Sequence, residues 1–220
     1  MDINSGSPIL ILVEGVADQQ FLIHYLQHLY GLKFLATASQ SEVYVAGSVK
    51  IQYTGGWEKI KETSFAHEIQ KIMDNYGKVL VIFDADSDPE ARRKDLLDWR
   101  DAQGLAFNLF LFPTDKESGV LEDLLVSIIN PVNTPIFDSW KLFEDSLKCV
   151  GIPWKEPTHR PTMPAKKTKV YAYIETLVGE SKSQKKLIKE RNRDYSNPNH
   201  WNLDSEPLSP LKDFLDVHFL

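Results

Sequence analysis

Carboxylate residues follow two apolar runs, and this arrangement points most clearly to chemistry. Glu14 follows the run at 9–13, and Asp84 and Asp86 follow the run at 79–83. About five apolar residues in a row are typical of a strand covered on both faces, as in a parallel sheet, and the carboxyl ends of such strands bind ligands in open α/β folds. Because like charges at one place repel, we expect a divalent cation to neutralise these acids.

The aspartates after the second run allow several interpretations. At a strand end, Asp84 and Asp86 can turn towards one cation, whereas Asp88 can cap a helix that begins at Pro89. An EF-hand loop is excluded because it needs glycine where Pro89 stands and a helix before it. A haloacid-dehalogenase-type phosphatase is excluded because its first strand carries the aspartate nucleophile, and here that strand ends in Glu14. A DxD-type sugar transferase stays open but leaves Glu14 unexplained.

The order of the predicted elements indicates how these acids are positioned. Strand and helix patterns alternate between residues 9 and 130, which predicts an α/β fold with a mainly parallel central sheet flanked by helices. Six prolines between residues 131 and 165 predict extended linkers between short helices, and helices are predicted at 169–177 and 208–220. We therefore predict a core at 5–130 and a helical C-terminal extension at 131–220 that packs on it.

The composition places limits on location and partners. No apolar run reaches the roughly 18 residues of a membrane helix, and the N-terminus lacks the basic start and apolar stretch of a secretory signal. Cys149 is the single cysteine, which excludes an intramolecular disulfide and suits a reducing compartment. We therefore expect a cytoplasmic protein without a membrane partner, and Cys149 as a buried thiol at a helix end. Trp57 is expected to be a packing residue.

The late part of the chain is strongly basic, although the net charge is −6. Ten Lys or Arg and three Asp or Glu lie between His159 and Arg193. Such a segment is either a solvated surface or an electrostatic footprint for phosphates. The candidate nucleic-acid-binding residues are Lys166, Lys169, Lys182, Lys185 and Lys186.

A glutamate after the first strand, followed by an Asp-x-Asp motif, resembles the Toprim (Rossmann-like) fold. In particular, the chain resembles small stand-alone relatives of the OLD (overcoming lysogenization defect) family nucleases. Three segments carry the resemblance, with the sequences LVEGVAD at 12–18, FDAD at 83–86 and SGVLEDLL at 118–125. It covers roughly residues 8–130, with a weaker match through 167–170. The resemblance implies a four-stranded parallel sheet and Mg²⁺-dependent chemistry on phosphodiesters.

The resemblance also implies a role for each acid. Glu14 is implied as general acid or base, and the Asp-x-Asp pair as metal-holding residues. Further acids that help to bind a second metal correspond to Asp18, Glu122 and Asp123, although Asp18 could simply stabilise a helix N-terminus. The implied metal ligands are thus Glu14, Asp18, Asp84, Asp86, Glu122 and Asp123.

A lysine beyond the core completes the implied site by stabilising charge on the phosphate. Lys167 is the best match, with Lys166 and Lys169 as rivals. The predicted function is a nuclease that uses one or two Mg²⁺ or Mn²⁺ ions on DNA or RNA, with DNA favoured, in defence against phage or foreign DNA. The alternative is a non-catalytic or regulatory Toprim subunit that binds nucleic acid or works with an ATPase on another chain. The chain has no GxxxxGK[ST] loop of its own.

Overall fold

The computed structural model describes residues 7–37 and 40–220, in which six strands form one sheet. The strands lie in the order β2-β3-β4-β1-β5-β6. The neighbours β4, β1, β5 and β6 are parallel to each other, while β2 and β3 are antiparallel additions at one side. The strands are β1 (Ile9–Val13), β2 (Leu35–Thr37), β3 (Gln40–Ala46), β4 (Val49–Tyr53), β5 (Lys78–Asp84) and β6 (Asn108–Phe112).

Helices cover both faces of this sheet and form a C-terminal layer. They are α1 (Val16–Tyr30), α2 (Thr63–Asp74), α3 (Pro89–Ala102), α4 (Leu121–Ser127), α5 (Thr134–Cys149), α6 (Lys166–Leu177), α7 (Lys182–Lys185) and α8 (Ser209–Phe219). A 3₁₀ turn, Trp57–Lys61, precedes α2. This arrangement confirms the prediction of an α/β, Rossmann-like fold with a mainly parallel sheet, flanking helices and a C-terminal helix.

The sheet separates two hydrophobic cores. On the face that we call the α1 face, strand residues such as Val13 and Ile82 pack with α1, α4, α6 and α8. On the opposite face, the α3 face, alternate residues such as Leu12 and Phe83 pack with the 3₁₀ turn, α2 and α3. The alternation follows from the pleat, which sends successive side chains of a strand to opposite sides. It also decides which way the acids at the strand ends point.

The prediction for residues 131–165 is wrong in its first half, because α5 is a continuous helix of 16 residues. Pro135 lies in the first turn of α5, where a missing N–H is tolerated, so the proline begins a helix instead of preventing one. Cys149 does end this helix, but its side chain is exposed and not buried as expected. Side chains of α6, α8 and the segment between them belong to the α1-face core; the division at residue 130 stays a prediction. Among the described residues, no helix is long and apolar enough to cross a membrane.

Candidate carboxylate site at the sheet edge

The two strand-end acids lie on adjacent strands but point to opposite faces. Val13 of β1 pairs with Ile82 of β5, and both side chains belong to the α1-face core. Glu14 is one position beyond this pair and Asp84 is two beyond it. The pleat therefore sends Glu14 towards the α3 face and Asp84 towards the α1 face.

Glu14 is held rigidly by two backbone N–H groups. Its Oε1 accepts from Trp57 N at 2.8 Å, and its Oε2 accepts from Asp84 N at 3.1 Å. The Arg92 guanidinium lies 3.9 Å from Oε1. Burial raises the pKa of Glu14 above its usual range, although these two N–H groups and the charge of Arg92 oppose the rise. A carboxyl that is held in place and has a raised pKa suits a role in proton transfer.

Asp18, which is buried, and Asp84, which is half-buried, form an acidic pair on the α1 face. Burial, with the charge of Glu14 next in importance, raises the pKa of Asp18 to about 8. Burial and the charges of Asp18 and Glu14 raise the pKa of Asp84 to about 9. Asp18 Oδ2 accepts from Gly15 N at 3.0 Å and Asp84 Oδ1 from Leu121 N at 2.8 Å, but Asp18 Oδ1 is buried without a hydrogen-bond partner in the described chain.

Glu122 lies next to this pair, and the buried side chain of Arg193 supplies a positive charge near Glu122. Burial raises the pKa of Glu122, and the positive charge of Arg193 acts in the opposite direction. Arg193 is 3% exposed and lies between the rings of Tyr171 and Tyr195, whose centroids are 4.9 and 5.7 Å from its guanidinium carbon. Its Nη1 donates to Tyr195 Oη at 3.1 Å. A residue far beyond the first 130 therefore contributes to the electrostatics of Glu122, next to the acidic pair.

Asp86 does not join the acidic pair. Its carboxylate accepts a hydrogen bond from Arg92 Nη2, and its side chain is 51% exposed. Its backbone has a positive φ of 54° and exchanges hydrogen bonds with Gly119 at 2.8 and 2.7 Å. Gly119 is required there, because its φ is 147° and an added Cβ would lie 2.6 Å from Asp123 Oδ2. The second aspartate of the motif is thus ion-paired on the α3 side.

Two further acids have local structural partners. Asp88 Oδ1 accepts from Ala91 N at 2.9 Å, which confirms its interpretation as the N-cap of α3. Asp123 Oδ2 accepts from Val120 N at the start of α4, and also from Lys166 Nζ at 2.7 Å. Asp123 therefore links α4 to the first turn of α6, which brings the lysine segment to the edge of the site.

The predicted lysines occupy different surroundings. Lys167 is exposed in the first turn of α6, beside Lys166 and its partner Asp123. Lys169 turns away, with its Nζ 5.3 Å from the centre of the Phe137 ring of α5. The exposed residues of α7 and the turn after it include Lys182, Lys185 and Lys186. Of this set, Lys166 and Lys167 are placed best to meet a phosphate at the acidic pair.

The acids at this site have the chemistry to bind a divalent cation, although their present side-chain positions do not form a binding site for one. As the side chains stand, no group of three or more His, Cys, Asp or Glu within residues 7–37 and 40–220 could hold a metal ion. The donors are nevertheless hard carboxylate oxygens, which Mg²⁺ and Mn²⁺ prefer. The unpartnered Asp18 Oδ1 is a buried acceptor for which a cation would be a partner. The metal-ligand assignments stay predictions.

Comparison with known proteins assigns the chain to a family. Residues 8–220 match the family described as proteins of unknown function, DUF3226. The chain belongs to the DUF3226 family. No curated protein matches it. Among solved structures, it is similar to a hypothetical protein from Pyrococcus horikoshii OT3, with a TM-score of 0.37 and 16% identity over 64% of this chain and 72% of that chain.

Sequence reasoning missed three residues at the site of this DUF3226 protein: Trp57, Arg92 and Arg193. Arg92 stands six residues after Asp86, and the helix predicted between them could have indicated that it returns towards the strand end. Trp57 packs on the α3-face core as expected, but it also holds Glu14 through its backbone N–H. Nothing in the sequence distinguishes Arg193 from the other basic residues around it, because its burial depends on how the late segment folds over α1.

Proposed function

We propose that this DUF3226 protein is a metal-dependent phosphodiesterase with a Toprim-like fold. It hydrolyses nucleic acid, DNA in preference to RNA, with Mg²⁺ or Mn²⁺ at the α1 face of the sheet edge, and it serves in defence against foreign DNA. One observation carries the proposal: the buried Asp18 and the half-buried Asp84 act on each other electrostatically at the carboxyl end of the parallel strands. No lysine, arginine or histidine forms an ion pair with either acid in the described part of the chain.

The burial of this pair supports a ligand role over a structural one. A buried acid without a cation destabilises the folded state unless a proton neutralises it. An arrangement that served stability alone would have paired these acids or replaced them with apolar side chains. Acids kept in such surroundings at the ligand-binding edge of an α/β sheet are typical of functional sites.

Each side chain has a role in the proposed reaction. When bound, a divalent cation lowers the pKa of a bound water and stabilises negative charge on the phosphate oxygens. Asp18 and Asp84 would hold that cation, with Glu122 beside them. Glu14, held from the other face by Trp57 N and Asp84 N, takes a proton from the attacking water or gives one to the leaving oxygen. Lys167 approaches from α6 and stabilises charge on the phosphate.

A cleavage assay of the purified chain tests the proposal. We expect Mg²⁺ or Mn²⁺ to support hydrolysis of DNA, with EDTA abolishing it. Asp84→Asn should lower the rate by more than the roughly 10- to 100-fold that loss of a residue supporting a metal ligand costs. Asp88→Asn is the matched control, because it makes the same substitution four residues further along the chain and asparagine also caps helices well. Equal rates in the two variants would reject Asp84 as part of the site.

The lysines are expected to divide into two classes. If Lys182, Lys185 and Lys186 contact phosphates, their joint replacement by glutamine weakens binding of all sequences and lowers the slope of log Kd against log salt by about 1 for each phosphate that is no longer bound. Lys167→Ala should instead lower kcat more than it raises KM, because its interaction with the phosphate forms in the transition state. Fluorescence anisotropy at several salt concentrations and steady-state kinetics separate the classes. Unchanged binding and turnover in both would leave the basic segment a solvated surface.

A second candidate is a non-catalytic subunit that binds nucleic acid or a partner ATPase. The ion pair between Asp86 and Arg92 favours it, because an internal cation then takes the place that a metal would have at the second aspartate. Binding of nucleic acid without cleavage, under conditions in which Mg²⁺ stabilises the protein, would support this candidate over the enzyme.

A further inference from the structure

The loop between α5 and α6 carries a tryptophan in solvent. Trp154 is 82% exposed, whereas the other four tryptophans of the chain are buried or half-buried. Within residues 7–37 and 40–220, no aromatic ring stacks on the Trp154 indole and no cation lies over it. A large apolar ring in water costs free energy that a packed position would avoid. The indole is therefore a free surface that a ligand can cover.

The loop itself is held by hydrogen bonds, so it presents this ring in a defined position. Ile152 N donates to His159 O at 2.8 Å and closes the loop on either side of Trp154. Arg160 Nη1 donates to Lys148 O, which fastens the loop to the last turn of α5. A ligand that binds here does not have to order the backbone first, which lowers the entropic cost of binding.

The charged residues around Trp154 favour an anionic ligand. Between residues 150 and 169 the chain has five Lys or Arg and one Glu. Lys155 Nζ donates to the hydroxyl of Thr162, and Arg160 donates to a backbone carbonyl. In the described part of the chain, neither of these two cations forms an ion pair with a carboxylate. Positive charge beside the ring is thus left for an anion to neutralise.

We propose that Trp154 is a stacking platform for an unpaired base of single-stranded nucleic acid, with Lys155 and Arg160 on phosphates of the same strand. The inference rests on the proposed function, from which it takes nucleic acid as the ligand, and it adds that the strand is single. In a duplex the faces of each base are covered by its neighbours, whereas an unpaired base stacks on an aromatic side chain. Because every base has such a face, the platform binds without a strict sequence preference.

The position of the loop connects the platform to the acidic pair. The loop runs directly into α6, where Lys166 Nζ lies 2.7 Å from Asp123 Oδ2 and Lys167 is exposed. Trp154 precedes Lys166 by twelve residues, which span at most roughly 43 Å in an extended chain. One strand can therefore cover the platform and continue past Lys167 to the acidic pair.

Anisotropy titrations in EDTA, with two labelled strands of about 12 nucleotides, test the platform without cleavage. This length lies within the site sizes of proteins that bind single strands. One strand is oligothymidylate, and the other is an abasic strand with the same phosphates and no bases. We expect the wild type to bind oligothymidylate at least about fivefold more tightly, the lower end of what one stacked base contributes. Equal affinity for the two strands, or tighter binding of the matching duplex, would overturn the proposal.

Substitutions of Trp154 separate stacking from apolar contact. Trp154→Leu keeps an apolar side chain without a ring, so it should bind oligothymidylate at least about fivefold more weakly and the abasic strand with unchanged affinity. Trp154→Phe keeps a ring and should restore most of the affinity. Tyr76→Leu is the matched control, because it removes an aromatic side chain that is 90% exposed from the turn between α2 and β5. An equal loss in this control, or no loss in Trp154→Leu, would overturn the platform.

Lys155→Gln tests the phosphate contact beside the ring. We expect it to lower the slope of log Kd against log salt by about 0.7, the value for one phosphate of a single strand. The decrease should be the same for both strands, because the abasic strand keeps its phosphates. Lys94→Gln removes the same charge from α3, where Lys94 pairs with Asp98, and should leave the slope unchanged. Equal slopes in the two variants would overturn the role of Lys155.

Two other results would assign the exposed ring to a different partner. Vesicles of phosphatidylserine and phosphatidylcholine test a lipid surface, since tryptophan and lysine also favour membrane interfaces. If Trp154→Leu weakens binding to these vesicles and not to oligothymidylate, the ring contacts lipid and the proposal is overturned. Light scattering tests self-association. A lower molar mass of Trp154→Leu than of the wild type, with unchanged binding of oligothymidylate, would overturn the proposal in favour of a contact between copies.

Cleavage kinetics separate a failure of the platform from a failure of the proposed function. Trp154→Leu should raise KM for a single strand about fivefold while kcat changes little, because stacking contributes uniform substrate binding. Cleavage with the same KM in Trp154→Leu and the wild type would overturn the platform and leave hydrolysis standing. Base-dependent binding of the single strand, without any cleavage in Mg²⁺ or Mn²⁺, would support the platform and overturn hydrolysis.

Discussion

Replacing Asp84 by asparagine is expected to stabilise the metal-free protein at pH 8 by about 1–3 kcal/mol. The pKa of Asp84 is raised from 3.8 to about 9, chiefly by burial and by the charge of Asp18, and each pH unit between folded and unfolded pKa values corresponds to about 1.4 kcal/mol. The expected gain lies well below that full difference because the two acids titrate as a pair. Asparagine keeps the acceptor for Leu121 N and removes the ionisation.

The sign of the pH dependence follows from proton binding. Between about pH 4 and pH 9 the folded wild type holds protons on Asp18 and Asp84 that the unfolded chain has released. The unfolding free energy of the wild type should therefore fall as pH rises through this window. Urea unfolding in EDTA at pH 5, 7 and 8.5 measures this free energy. Its slope against pH should be clearly smaller in Asp84→Asn and unchanged in Asp88→Asn. The same slope in all three proteins would place the titrating acids elsewhere.

The sequence predicted the sheet well because apolar runs and glycine-terminated helices are local signals. The run 9–13 forms the buried strand β1, and Gly31, with φ at 69°, follows α1 in the left-handed conformation that glycine readily adopts at helix ends. The helix α5 was missed because prolines on both sides of it favoured linkers. Whether a proline begins or interrupts a helix depends on its position in the turn, and composition alone does not give that position.

The sequence predicted that carboxylates meet at one sheet edge, but not how they divide between two faces. Spacing brought Glu14, Asp84 and Asp86 to one sheet edge. It did not reveal that β1 and β5 pair with a register that turns Glu14 and Asp84 to opposite faces. Register depends on contacts between strands that are about 70 residues apart, so it is not visible in either segment alone. The resemblance likewise assigned Asp86 to a metal without anticipating its ion pair with Arg92.

The second large expected effect is the stabilisation of the protein by Mg²⁺. Because the acids lie on two faces, the loss of this effect in single variants shows which acids bind the cation. A ligand that binds only the folded state at 100 times its Kd adds about 2.7 kcal/mol, which for a chain of this size raises Tm by about 5–10 °C. We expect the shift in the wild type and its near-complete loss in Asp18→Asn, because Asp18 lies on the α1 face with a buried oxygen that has no partner in the described chain. Asp86→Asn should keep most of the shift, since Asp86 pairs with Arg92.

If Asp86→Asn loses the Tm shift and Asp18→Asn keeps it, the cation lies with the Asp-x-Asp pair, as the family resemblance implies. Differential scanning fluorimetry with Mg²⁺ and Mn²⁺ distinguishes these two positions of the cation, with Asp88→Asn as the control that keeps the full shift.

Binding of the cation on the α1 face should also release protons. Near pH 7 Asp18 and Asp84 carry protons in the absence of metal, and ligation requires their release. The affinity for Mg²⁺ should thus rise about 10-fold per pH unit for one released proton and about 100-fold for two. Calorimetry in two buffers of different ionisation enthalpy counts these protons. A count near zero would mean that the cation does not displace them, and the acidic pair would then have another role.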